Sequence, residues 1–235
     1  MNSLINLIKE KAIVMEFSAH LLMSEFVTHD VKRFILEKPE GFKFEPGQAV
    51  ELAIDHSHWK NEKRPFTPTS LTDDQILEFI IKKYPDHQGV TQMLHQLESG
   101  AVLKISEPFG TIEYKGPGVF IAGGAGITPF IAILRNLARK NQLGGQTLIF
   151  SNKTPADIIN EKEFRYLLGE RCILTCTENS APGYDNSLVD KTFLKEKINN
   201  FDQHFYLCGP SGFMESITDA LKSLGAQPDA LVFEQ

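Results

Sequence analysis

Cysteine is scarce in this chain. Cys172, Cys176 and Cys208 are the only three among 235 residues, too few for the four thiolates of an iron–sulfur cluster or a four-cysteine zinc site. They are also too few, and odd in number, for a disulfide framework, so a reducing compartment is expected. Basic charge is in deficit as well. Lys and Arg number 24 against 30 Asp and Glu, a net charge of −6, whereas nucleic-acid binding normally needs a basic excess. No N-terminal stretch combines a basic start, an apolar core and a small-residue cleavage site. Long uncharged runs are also rare; the 19 residues of 116–134 are the exception. That is membrane-span length, but Gly116, Pro117, Gly118, Gly123, Gly124, Gly126 and Pro129 interrupt it. It reads better as a buried strand, a glycine turn and a helix. The expectation is a soluble cytoplasmic protein with no nucleic-acid or membrane partner.

What is present is a globular composition: 42% hydrophobic, 23% charged and 10% aromatic, enough for one large domain or two of about 100 residues each. The chain changes rhythm near its middle. Between 19 and 114, β-rich runs at 20–26, 31–37, 49–54, 76–82 and 102–105 are separated by Pro39/Gly41, Pro46/Gly47 and 72–74. Short strands with this punctuation predict a small antiparallel barrel. One helical piece, 91–97, places Met93, Leu94 and Leu97 on one face. From 115 to 235 strands at 119–122, 146–150, 172–176 and 204–208 alternate with helices at 129–140, 156–168, 191–199 and 210–224. That alternation predicts a doubly wound parallel sheet. The last helix carries Met214, Ile217, Leu221 and Leu224 as a core stripe and stops at Gly225. Residues 1–18 fit neither half and read as an appended or misassigned N-terminal extension.

Gly123-Gly124-Ala125-Gly126-Ile127-Thr128-Pro129 lies between a strand and a helix. Glycines let a backbone turn sharply and approach a pyrophosphate. Thr128 suits an N-cap and Pro129 the first helical turn, which aims free N–H groups at that bend. A ligand-free tight turn is the plainer alternative. Pro129 also stands where G-x-G-x-x-G has its third glycine, so this is not the common dinucleotide fingerprint. Arg64-Pro65-Phe66-Thr67-Pro68-Thr69-Ser70 is the second notable segment. Its guanidinium can grip a phosphate, its phenyl ring can pack on a flat heterocycle, and its hydroxyls can reach polar ring edges. A proline-constrained turn is the alternative here.

Arg-Pro-Phe-Thr at 64–67, Gly89-Val90-Thr91, Pro108-Phe109-Gly110, the glycine turn and Cys208-Gly209-Pro210 follow one another in this order and spacing. The series resembles the ferredoxin–NADP reductase family, in which a flavin barrel precedes a pyridine-nucleotide domain, and the resemblance covers nearly all of 19–235. It implies that Arg64 binds flavin phosphate, that Phe66 stacks on the isoalloxazine, that Thr67 sits beside flavin N5, the hydride acceptor, and that Pro65 belongs to the same cofactor-binding segment. It also implies that Gly89, Val90 and Thr91 clamp the flavin pyrophosphate, and that Gly124, Gly126 and Thr128 form the nicotinamide-nucleotide turn. Cys208, Gly209 and Pro210 correspond to the strand end over which nicotinamide slides. Phe233 and Glu234 are candidates for the C-terminal residues near the flavin. Tyr84 and His87 lie near the expected adenine end, and Lys82 is a further candidate for cofactor binding.

The implied cofactor is FAD, the family's usual dinucleotide, rather than FMN, with NADH or NADPH as hydride donor. The implied work is to align two rings, with no metal and no acid–base dyad. With no cysteine cluster in the chain, the acceptor is expected to be a separate carrier such as a flavodoxin, a ferredoxin or an oxygenase component. Lys32, Arg33, Lys60, Lys63, Lys82 and Lys83 are candidates for a local basic face toward it; an ordinary solvated surface is the alternative. A flavin reductase using free flavin and a non-catalytic flavin-bearing subunit are the competing functions. Glu178, after the third strand of the second half, would repel a 2′-phosphate and favours NADH, while Lys153 argues for NADPH. Cys208 reads as packing and nicotinamide contact rather than a nucleophile. His56 and His58 lack a nearby third ligand and read as loop surface.

Overall fold

The computed structural model describes residues 17–84, 89–110, 112–179, 181–227 and 231–233. His87 and Glu234 lie outside them, as do residues 1–16, and the side chain of Phe233 is likewise not described.

The first half is an antiparallel, nearly closed barrel. Strands β1 (Phe17–Phe26), β2 (Val31–Glu37), β3 (Val50–Ile54), β4 (Arg64–Phe66), β5 (Ile76–Lys82) and β6 (Val102–Ile105) run in the order β4-β3-β6-β1-β2-β5. Period-two patterning puts Ala19, Leu21, Phe34, Leu36, Leu52, Leu77, Phe79, Leu103 and Ile105 inside. Near-closure comes from the chain leaving β4, where the Thr69 N–H donates to the Glu78 carbonyl at 2.7 Å. Helix α1 (Val90–Leu94) plugs the barrel with Val90 and Leu94.

β1 begins at Phe17, three residues before the expected start, because Phe17 and Ser18 continue the ladder with Ile105 and Lys104. β4 was not expected as a strand. Pro65 cannot donate to a ladder, but β4 pairs only with β3 within the sheet, so this edge tolerates it. The helix expected over 91–97 is shorter, and its last residues are a turn that still packs Met93 and Leu97 on the core.

The second half is a five-stranded parallel sheet. Its strands are β7 (Gly118–Gly123), β8 (Thr147–Asn152), β9 (Cys172–Cys176), β10 (His204–Cys208) and β11 (Leu231–Phe233), ordered β11-β10-β7-β8-β9. Helices α2 (Thr128–Arg139) and α3 (Glu161–Leu168) cover one face through Phe130, Ile131, Leu134, Phe164 and Leu168. Helices α4 (Lys191–Lys197) and α5 (Ser211–Ser223) cover the other through Phe193, Leu194, Ile217 and Leu221. The uncharged stretch 116–134 is therefore strand, turn and helix, and no helix among the described residues is long and apolar enough to cross a membrane.

β8 and β9 extend from one side of β7, and β10 and β11 from the other. The topological switch point falls between β7 and β10, where a parallel sheet opens a crevice at its carboxyl ends. Ala122 pairs with Cys208 across that switch, so the glycine turn and Cys208-Gly209 lie side by side. The inter-half connection is tied down by Tyr206. Its hydroxyl accepts from the N–H groups of Lys115 and Gly116 at 2.9 and 3.0 Å and donates to the Gly116 carbonyl at 2.7 Å. Burial pushes this phenol up to about 12, so it remains a proton donor at neutral pH.

Two expectations in this half need correction. The segment 156–168 is not one helix: a short 3₁₀ turn, Pro155–Asp157, is separated from α3 by Asn160 at φ 52°. Thr128 is not an N-cap. Residues Gly124–Ile127 already wind into a 3₁₀ helix, so Thr128 enters with helical angles and its hydroxyl donates to the Ala125 carbonyl at 3.1 Å.

Candidate functional site

A cleft of about 710 Å³ runs between the halves. From the barrel come Val31, Pro65, Phe66, Thr67, Lys82, Tyr84 and Thr91. From the sheet come Gly123–Gly126, Thr128, Lys153 and the strand end Cys208-Gly209-Pro210. The two segments singled out in the sequence therefore share one crevice, of a size that suits a bound cofactor.

The barrel wall is built from side chains. β4 carries Phe66 half-buried at the cleft, with Thr67 buried beside it. Arg64 opens β4 but stands outside the lining. Its guanidinium is exposed, donating to the Lys63 carbonyl at 2.7 Å and lying 3.3 Å from Glu62. Exposed ion pairs of this kind contribute about 0–1 kcal/mol, so a phosphate can replace Glu62 at little cost. Of the expected pyrophosphate clamp, Thr91 lines the cleft, Val90 turns into the barrel core, and Gly89 is the N-cap residue of α1. Lys82 lines the cleft but its ammonium is held by Asp30 at 2.9 Å. Tyr84 is half-exposed at the rim.

The sheet wall is built around the exposed backbone of the glycine turn. A Cβ on Gly126 would come within 2.4 Å of the Cys208 carbonyl oxygen, so only glycine lets the turn cross β10. Gly124 has φ +54° and open space where its Cβ would point, leaving its backbone approachable. Gly209 and Gly123 pack against Phe213 of α5, whose ring a Cβ would meet at 2.8 and 3.2 Å. Cys208 is buried, and the strand end that it closes lies in the lining. Phe233 lies in β11, its backbone paired with Leu207.

Reasoning from sequence missed Asn152, Phe213 and Leu188. Asn152 ends β8 in the cleft lining, buried, and both polar atoms of its amide lack a partner. Buried amides are normally satisfied, so this orphan marks a place for a polar ligand group. Its signal was available, because polar residues at the carboxyl end of an apolar parallel strand lie where such sheets bind. Lys153 and Glu178, set against each other as nucleotide selectors, are partners: Nζ lies 2.9 Å from Oε1, and this hydrogen bond raises the lysine's pKa.

The expected basic face is weaker than its residue count suggests. Lys32 donates to the His95 carbonyl, Arg33 pairs with Glu25 and Glu78, and Lys82 with Asp30. Among the described residues, the grouping with metal-ligand spacing is His29, Asp30 and Asp157, but the Lys82 ammonium already sits on Asp30. His56 and His58 stack on each other at the surface.

The open glycine turn, the orphan amide and the ring-bearing barrel wall together fit a flavin and a nicotinamide nucleotide. Residues 18–114 match the oxidoreductase FAD-binding domain family, and residues 120–219 match the oxidoreductase NAD-binding domain family. The chain is 30% identical over 223 residues to NADH-cytochrome b5 reductase 1 of Aspergillus clavatus, covering 85% of this chain and 71% of that protein. It is 27% identical over 214 residues to the ferredoxin–NAD(P)+ reductase component of the naphthalene 1,2-dioxygenase system of Pseudomonas putida, covering 87% and 64%. The chain thus spans less than two thirds of the length of that reductase. In fold, it superposes on a ferredoxin NADP+ reductase from Neisseria gonorrhoeae with bound FAD and NADP, with a TM-score of 0.79 at 18% identity over 93% of this chain and 97% of that one. Matched domains, relatives and the shared two-wall cleft lead to one assignment: the chain belongs to the ferredoxin–NADP reductase-like family, with an FAD-binding barrel and an NAD-binding sheet.

Proposed function

We propose that this chain is a reductase that takes electrons from a reduced nicotinamide nucleotide and passes them through bound FAD to a separate carrier protein. The observation that carries this reading is the common cleft, with Phe66 and Thr67 on one wall and Gly124, Gly126 and Cys208 on the other. Bound there, the flavin supplies two-electron acceptance from the nucleotide and one-electron release to the carrier.

The chain's own residues position and select. Phe66 offers an aromatic face, and Thr67 a hydroxyl at the ring's polar edge. Arg64, released from Glu62, binds phosphate at the rim, with Thr91 beside the pyrophosphate. The glycine turn presents backbone N–H groups and the start of α2 to the second nucleotide's phosphates, and Asn152 supplies an amide to its polar groups. The Lys153–Glu178 pair leaves no net charge at the selecting position, which supports NADH, since a 2′-phosphate would have to break the pair. The carrier we favour is a ferredoxin, a flavodoxin or an oxygenase component. The three free thiols fit a cytoplasmic setting.

The test is the visible spectrum of the purified chain, followed by anaerobic titration with NADH and then NADPH. Stoichiometric FAD, bleached by NADH at lower concentration than by NADPH, is expected. A colourless chain that reduces added free flavin would replace this reading with a flavin reductase. A flavin that neither nucleotide bleaches would leave only an electron-passing subunit.

A further inference from the structure

The cleft walls come from different halves of the chain, so their alignment depends on what joins them. A partly buried charge cluster does so. Arg135 lies on α2, two turns beyond the glycine turn. Its Nε and Nη2 donate to the two carboxylate oxygens of Glu163 on α3 at 2.6 and 2.9 Å. Its Nη1 reaches the barrel, donating to Glu78 Oε1 at 2.7 Å and to the Thr69 carbonyl at 2.8 Å.

Glu78 is the single carboxylate in the apolar run of β5, buried between Leu77 and Phe79. It accepts the Thr69 hydroxyl at 2.7 Å on one oxygen, while the other lies 3.4 Å from Arg33 Nε. Thr69 is fully buried and sits two residues past Thr67. Burial works against the Arg135 charge, but Glu163 and Glu78 outweigh it and hold the guanidinium above its ordinary value. The planar fork matters here, since a point charge cannot serve two acceptors on α3 and two on the barrel at once.

We propose that Arg135 is a positioning residue that locks the Phe66–Thr69 wall onto the helix beginning at the glycine turn, so setting how the flavin and nicotinamide rings face each other. This rests on the reading of the cleft given above. It differs from that reading in assigning ring alignment to a residue outside the cleft lining.

Small misalignments are costly in transfer between two held rings, where displacement by about 1 Å can cost a hundredfold. The decisive experiment is anaerobic stopped-flow bleaching of the FAD-loaded chain by NADH, for wild type, Arg135→Lys, Glu163→Gln and Arg139→Ala. Arg135→Lys is expected to keep full flavin content and NADH affinity within twofold, while the bleaching rate falls about tenfold to a hundredfold. Glu163→Gln should move the same way by less. Arg139→Ala removes an exposed pair that Arg139, on the same helix, makes with Asp73 of the barrel half, and should change the rate less than twofold.

An unchanged rate in Arg135→Lys overturns the proposal. So does a rate that falls only in proportion to lost flavin or NADH binding, which is the signature of a purely structural role. Hydrogen exchange without any ligand gives an independent arm. The Thr69 amide, bonded to the Glu78 carbonyl, should exchange about tenfold faster in Arg135→Lys, and unchanged protection would sink the lock. A wild-type chain that binds no FAD would refute the cleft reading, whereas the exchange result would still decide the lock.

Discussion

The two walls of the cleft solve the same task with different materials. The barrel wall uses side chains, with Phe66 on a short edge strand, Thr67 just past its end and Thr91 on a one-turn helix. The sheet wall uses backbone, with Gly126 passing so close to the Cys208 carbonyl that any side chain would collide. A side-chain wall can lose one function at a time; a backbone wall fails as a unit. Substitutions should therefore read out differently on the two sides.

The largest expected effect tests that contrast directly. Gly126→Ala forces a methyl against backbone that cannot yield, and should cost about 3 kcal/mol in urea unfolding and abolish NADH binding. Unchanged stability would mean the turn has slack that the 2.4 Å approach does not suggest. Phe66→Ala, on the other wall, should weaken FAD binding about tenfold, or 1.4 kcal/mol, with little change in Tm. Flavin fluorescence titration beside a melting curve separates the two quantities.

A smaller effect is expected at the Lys153–Glu178 pair. Glu178→Gln frees the ammonium for a 2′-phosphate and should raise kcat/KM for NADPH about tenfold, leaving NADH nearly unchanged. Steady-state kinetics with both nucleotides checks it, and an equal rise for both would show that Glu178 does not select. The smallest expected effect lies at the hairpin between β1 and β2. Burial raises the Asp30 pKa, but the Lys82 ammonium and the Thr28 hydroxyl outweigh it, leaving it below the ordinary 3.8. A carboxyl depressed in the fold stabilises above its unfolded value and loses that contribution as pH falls through the folded one. Lys82→Met should therefore shift acid unfolding to higher pH by about a few tenths of a unit, followed by circular dichroism below pH 4.

The two halves also differed in how much the sequence disclosed. In the sheet, runs such as 119–122 and 204–208 are apolar because they are buried on both faces, and the helices between them carry plain stripes. Their order therefore predicted a doubly wound sheet. In the barrel, β4 escaped because three residues containing a proline carry no alternation. β11 escaped because it is three residues long and draws its identity from β10. Thr128 was misread for a local reason: Thr-Pro before a helix resembles a cap, yet the glycines ahead of it wound into a 3₁₀ turn and left no cap to make. Phe66, Thr67, Gly124 and Gly126 stood out by residue type, and the structure brings all four into the cleft lining. Asn152 carried a signal that was passed over, a polar residue closing an apolar parallel strand, whereas nothing in the neighbourhood of Phe213 distinguishes it from an ordinary helix residue.

By itself the sequence determined the two architectures, their order, and the aromatic, hydroxyl and glycine groups available for binding, because periodicity and residue type are local properties. Only the tertiary structure decided that these groups face one another, that Lys153 neutralises Glu178, and that Arg135 reaches Thr69 and Glu78 across 66 and 57 positions of chain. Such contacts depend on how two separately patterned units come to rest against each other, and local sequence carries no record of that.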